Sequence, residues 1–126
     1  MTRVAVVFTG GTISMQTDAQ AGGAVPTLDG AAILTRTAGL GAIAEVVPVD
    51  WGLVPASHLS FAQILDLAGV VRGALERPGV AGAVVVQGTD TIEETAFALD
   101  LLVPGSKPVV VTGSMRKADD DGYEGP

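Results

Sequence analysis

The chain has no cysteine at all, which removes disulfides, thiolate nucleophiles and thiolate metal sites together. It has one histidine, His58, so no multi-histidine metal centre is available from its own residues. Lysine occurs twice, as Lys107 and Lys117, and the five arginines are scattered. With 14 acidic residues against 7 basic ones the formal charge is −7. A field of that sign repels phosphate backbones and anionic headgroups, so neither nucleic acid nor a membrane surface is an expected partner. Apolar runs are short. None reaches the ~20 residues of a membrane span, and Val4 to Phe8, close behind the initiating Met1, is followed by Thr9-Gly10-Gly11, not by a cleavage pattern. The sequence therefore reads as cytoplasmic.

What is present is a globular composition, 48% hydrophobic, in a chain of 126 residues that suits one domain. Four apolar runs recur: Val4 to Phe8, Ile43 to Val49, Val80 to Val86 and Pro108 to Val111. They are Val-rich and alternate little, as strands of a parallel sheet do when both faces are covered. Helical spacing lies between them. Phe61, Ile64, Leu65, Ala68, Val71 and Leu75 form one stripe, with a Ser60/Gln63 capping box before it and Pro78-Gly79 after it. Ile92, Ala96, Leu99 and Val103 form another that ends at Pro104-Gly105, and a weaker helix spans Leu28 to Thr37. The alternation β-α-β-α-β-α-β predicts an α/β fold of three layers, flavodoxin-like or Rossmann-like, with a mostly parallel sheet. Ser14 to Pro26 shows no periodicity and reads as a long loop, either a lid or a plain surface connector.

Ligands of such sheets bind beyond the carboxyl ends of the strands. The residues that follow the four runs are Thr9-Gly10-Gly11-Thr12, Asp50-Trp51-Gly52, Gln87-Gly88-Thr89-Asp90 and Thr112-Gly113-Ser114. In the first, glycines allow close backbone approach and leave N–H groups free for an anion or oxyanion; the alternative is a glycine turn whose hydroxyls satisfy nearby backbone. The motif matches neither a Walker A loop nor a complete GxGxxG. In the third, Asp90 either caps the following helix together with Glu93 or polarises a hydroxyl or water. Asp119-Asp120-Asp121 lacks the spacing of a calcium loop and reads as solvated, with Arg116 pairing one of these acids. His58 reads as a surface residue, and Lys107 as flanking a strand.

Taken in order, Thr9-Gly10-Gly11-Thr12-Ile13, Gly88-Thr89-Asp90-Thr91 with Glu93-Glu94-Thr95-Ala96, and Lys107-Pro108-Val109-Val110 leading into Thr112-Gly113-Ser114-Met115-Arg116 closely resemble the bacterial-type L-asparaginase family. The resemblance covers essentially all of residues 1–126 and corresponds to the N-terminal domain of a larger two-domain subunit, whose C-terminal domain would be absent here. It implies hydrolysis of L-asparagine to L-aspartate and ammonia through a threonine acyl-enzyme, with L-glutamine as another substrate. It implies Thr12 as nucleophile, and Thr89 and Asp90 as an activating pair that works with a downstream lysine. Gly11 and Gly88 would hold substrate, and the family's Ser-Gln pair falls at Ala56-Ser57. No metal or organic cofactor is implied, and a homo-oligomer, dimer or tetramer, is.

The sequence departs from that pattern at Gln87, where histidine is common, and at the missing lid tyrosine near Gly23 to Val25. Neither Lys107 nor Lys117 stands where the catalytic lysine belongs, so the chain reads as a fragment with little or no activity of its own. Two other functions share these motifs: the glutaminase-like subunit of a tRNA-dependent amidotransferase, and an amino-acid-binding domain without turnover.

Overall fold

The four central strands run parallel and in register. In the computed structural model, which describes residues Met1–Pro126, these are β1 (Arg3–Phe8), β4 (Glu45–Asp50), β5 (Val80–Val86) and β6 (Val109–Thr112), in the order β4-β1-β5-β6. Phe8 is level with Asp50 on one side and Val86 on the other, and Val86 is level with Thr112. All four carboxyl ends therefore form one rim. Between β1 and β4 lie β2 (Met15–Asp18), β3 (Gly23–Pro26), α1 (Gly30–Arg36) and α2 (Leu40–Ile43); α3 (Phe61–Leu75) joins β4 to β5, and α4 (Ile92–Leu102) joins β5 to β6.

The three layers follow from the alternation within β1. Ala5 and Val7 point to a cluster with Leu67, Val71 and Ala74 of α3 and Leu99 of α4. Val6 and Phe8 point the other way, to Ile13, Leu28 and Ile33. Burying a side chain such as Leu67, which is fully enclosed, contributes about 1.5–3 kcal/mol, and this two-sided packing is why the central strands carry no polar face. The predicted three-layer α/β fold with a parallel sheet is the fold observed.

The helix ends follow their local chemistry. Ser60 and Gln63 make the expected capping box, the Ser60 hydroxyl accepting from Gln63 N while Gln63 Oε1 accepts from Ser60 N. Asp29 caps α1 by accepting from Ala32 N at 2.8 Å.

Several expectations need correction. Residues 14–26 do not form an aperiodic loop: Met15–Asp18 and Gly23–Pro26 pair as an antiparallel hairpin. Asp18 Oδ1 accepts from Gln20 N and Ala21 N at 2.7 and 3.0 Å, which makes the turn that the sparse apolar pattern conceals. The second parallel strand begins at Glu45 and not at Ile43, because Leu40–Ile43 coil into α2 and leave Ile43 exposed. The helical stripes are rotated from those expected. Phe61 and Leu65 lie exposed while Leu67 and Ala74 are buried, and on α4 Thr95 is buried where Ala96 was expected. Arg116 faces Glu124, at 3.8 Å, and Lys117 instead takes Asp119 and Asp120.

Candidate active site at the carboxyl rim

The winding of the sheet reverses at β1: the chain leaves it for β4 on one side and returns to β5 on the other. The crevice between β1 and β5 is thus a topological switch point, the usual ligand position in open α/β sheets. Each strand that borders it, and β4 beside it, is followed by a single turn of 3-10 helix: Thr12–Ser14 after β1, Ala56–His58 after β4 and Thr89–Thr91 after β5. Those three turns carry Thr12, Ala56, Ser57, Thr89 and Asp90.

Glycines bring the turns together. A Cβ added to Gly11 would lie 2.2 Å from Gly88 N and 2.3 Å from Gly88 Cα, so the two backbones touch. Gly11 also has φ +86°, which side-chain-bearing residues rarely adopt. A Cβ on Gly88 would meet Ala56 Cβ at 3.0 Å, and one on Gly113 would meet Gln87 O at 2.4 Å. The first, second and third motifs, together with the Ala56 turn, therefore meet at one place, and Thr91 Oγ1 donates to Ala56 O at 3.3 Å across it.

Hydrogen bonding separates structural hydroxyls from free ones. Thr9, fully buried, donates to Val86 O at 3.1 Å, and Ser14 donates to Gly11 O at 2.8 Å. Both satisfy nearby backbone, as the alternative reading of the glycine turn requires. Thr12 and Thr89 lie half-buried at the rim beside the touching glycines, and neither hydroxyl bonds within the chain. Asp90 is exposed and does not cap α4, whose N-cap residue is Thr91 and whose start has no side-chain cap. The Asp90–Glu93 capping alternative is therefore not the arrangement present. Ala56 is buried under Gly88, whereas Ser57 and His58 face solvent.

The segment after β6 folds back over the first motif, which sequence reasoning missed. Tyr123 donates from its hydroxyl to Ile13 O at 2.7 Å, Ala118 N donates to Met15 O at 2.9 Å, and Asp119 Oδ2 accepts from Thr17 N at 2.9 Å. Burial pushes the Tyr123 phenol above its ordinary value, whereas the Thr17 N–H holds the Asp119 carboxyl below its own. Neither lysine is free: Lys107 Nζ donates to Leu75 O at 2.5 Å and Lys117 is held by Asp120 and Asp119. No group of three or more His, Asp and Glu side chains is arranged to hold a metal ion, and no helix is long and apolar enough to cross a membrane. A cavity of about 450 Å³ lies away from the rim, lined by Met1, Leu34, Leu40, Glu45 and Val46 near the amino ends of the strands.

A parallel sheet wound outward from a switch point, with glycine-rich turns and free hydroxyls gathered on its carboxyl rim, defines a flavodoxin-like α/β domain. The chain belongs to the asparaginase family: the family model described as Asparaginase, N-terminal, matches residues 3–126. It is 35% identical over 125 residues to an L-asparaginase from Bacillus licheniformis, covering 97% of this chain and 38% of that one. To a glutaminase-asparaginase from Acinetobacter glutaminasificans it is 34% identical over 128 residues, covering 98% and 38%. The crystal structure of a probable cytoplasmic L-asparaginase from Campylobacter jejuni superposes with a TM-score of 0.85 at 29% identity, over 100% of this chain and 37% of that one. The chain thus spans less than two fifths of the length of these relatives.

Proposed function

We propose that the protein to which this chain belongs hydrolyses the side-chain amide of a small amino acid, L-asparagine first, releasing ammonia. The observation that carries this reading is the backbone contact of Gly11 with Gly88, which sets the Thr12 and Thr89–Asp90 turns side by side with their polar groups free. Thr12 Oγ1 attacks the amide carbon, and its proton passes through the neighbouring polar groups to the departing nitrogen. The resulting ester of Thr12 is then cleaved by water to give the carboxylate and the free hydroxyl. A threonine hydroxyl is a weak nucleophile near neutral pH and needs an adjacent base. Thr89 and Asp90 supply the orienting hydroxyl and carboxylate, and exposed Asp90 also suits a substrate ammonium group. N–H groups of the Gly11 and Gly88 turns face the developing oxyanion, where one such donor is worth roughly 3–4 kcal/mol.

Ala56, packed against Gly88, and exposed Ser57 on the same turn make the third side of the proposed site, where Ser57 offers its hydroxyl to substrate. The glutaminase-asparaginase among the relatives favours L-glutamine as a second substrate. In line with the family resemblance, the protein works as a cytoplasmic homo-oligomer, and a lysine completes proton transfer, a role that neither Lys107 nor Lys117 is placed to fill. The test is Thr12→Ala in the natural full-length protein. Ammonia release from L-asparagine should fall at least a thousandfold with the fold unchanged by circular dichroism. Retention of wild-type turnover would remove Thr12 from the reaction.

A further inference from the structure

The helical turn that carries Thr12 has only three residues, Thr12–Ser14, and turns of that length do not hold an orientation by themselves. Its carbonyls divide by where their donors come from. Gly11 O accepts from Ser14 N at 3.0 Å and from Ser14 Oγ at 2.8 Å. Thr12 O accepts from Met15 N, and Ser14 O accepts from Thr27 N and Leu28 N at 2.8 and 3.0 Å. These donors are all neighbours in sequence or belong to the hairpin's exit. Ile13 O is reached instead from the other end of the chain, by the Tyr123 hydroxyl at 2.7 Å, 110 residues away.

The donor is itself fixed. The Tyr123 ring is half-buried and packs against the cluster of Val6, Phe8, Ile13 and Leu28. A Cβ added to Gly125 would lie 2.6 Å from Tyr123 Cζ and Oη, so the Gly125 backbone lies against the ring. At the start of the turn, Gly11 lies against Gly88. Thr12 therefore stands between two anchors held by different parts of the chain. We infer that Tyr123 is a positioning residue for Thr12: its hydrogen bond to Ile13 O sets the tilt of the turn and so the direction of Thr12 Oγ1. Without the hydroxyl the ring still packs, but the turn is free to rock about Gly11, where glycine tolerates the change. The catalytic part of this inference rests on the amidase reading above; the tether itself does not.

The experiment compares Tyr123→Phe with Asp119→Ala in the natural full-length protein. The first removes only the hydroxyl. The second removes a neighbouring tie of the same segment, Asp119 to Thr17 N, and leaves Ile13 O held. The Ile13 carbonyl carbon shift reports the bond, and three-bond couplings of the Thr12 methyl group report its χ1 population. Steady-state kinetics with L-asparagine separate kcat from KM. Tyr123→Phe should shift the Ile13 carbonyl resonance and average the Thr12 rotamer. It should also lower kcat roughly tenfold with KM changed less than about threefold, because misplaced reacting groups cost rate. Asp119→Ala should keep the wild-type rotamer and a kcat within about twofold of wild type. The melting temperature of Tyr123→Phe should fall by no more than about 5 °C, as the loss of one hydrogen bond implies. A fixed Thr12 rotamer with wild-type kcat in Tyr123→Phe, or an equal fall in kcat in Asp119→Ala, would overturn the inference. So would a much larger fall in melting temperature, which would make Tyr123 a residue of the fold alone. A wild type that releases no ammonia from either amide, with the rotamer still freed by Tyr123→Phe, would sink the amidase reading and leave the tether standing.

Discussion

Four threonines near the rim of β1 and β5 differ in what their hydroxyls do, and that difference carries the functional argument. Thr9 is spent on Val86 O and Thr91 on Ala56 O, whereas Thr12 and Thr89 are spent on nothing in the chain. The glycines beside the free pair are fixed by sterics. Gly11→Ala combines a positive φ with a methyl group driven into the Gly88 backbone, so destabilisation should exceed ~3 kcal/mol, the sum of backbone strain and overpacking. Gly22→Ala is the control. Its φ is +70° but nothing lies within 4 Å, so only the conformational cost of about 1 kcal/mol remains. Urea denaturation of the two variants measures the difference; equal losses would mean that the Gly11–Gly88 contact is not as tight as described.

The elements show two kinds of order, one set by the core and one by charges on its margin. α3 combines its buried stripe with the Ser60–Gln63 box, and Ser60→Ala should cost about 1 kcal/mol in thermal or urea melts. The β2–β3 hairpin is held differently, by Asp119 accepting from Thr17 N and by Asp18 closing its own turn. Both carboxyls are held below their ordinary values, foremost by those backbone N–H groups. A depressed carboxylate contributes stability that is present above its unfolded pKa, about 3.9, and lost as pH falls through its lower folded value. The hairpin should therefore keep its contacts to the segment after β6 at pH 5 and release them below about pH 3.9, ahead of the parallel sheet. The Thr17 amide resonance followed against pH reads this directly; a midpoint above the ordinary carboxylate value would contradict it. Lys117 is raised, first by its bond to Asp120, so its contribution is complete below the ordinary lysine value and lost as pH rises through the folded one.

Across the whole molecule, what could be read from the residues tracks how locally each feature is encoded. The parallel strands and α3 announce themselves by Val-rich runs, a capping box and proline–glycine stops, and they lie within two residues of where the pattern puts them. The hairpin was hidden because Met15, Gln16 and Thr17 alternate weakly and its anchor, Asp119, is a hundred residues away. The stripes on α3 and α4 were misjudged for a related reason. Phe61 and Leu65 are apolar yet exposed, and periodicity alone cannot say which of two apolar faces meets the sheet. The site was legible as a set of motifs at strand ends, but what joins them is Gly11 against Gly88, a contact between chain segments 77 residues apart that only the sheet order creates.

The central claim is spatial, that one small amino acid is held between the Thr12 turn and the Thr89–Asp90 turn. A crystal structure of the natural full-length protein with L-aspartate bound tests it most directly. The account predicts the side-chain carboxylate within hydrogen-bond reach of Thr12 Oγ1 and Thr89 Oγ1, with the ammonium group at Asp90. Aspartate seated elsewhere, for instance in the cavity beside Met1 and Leu34 at the opposite end of the sheet, would contradict it.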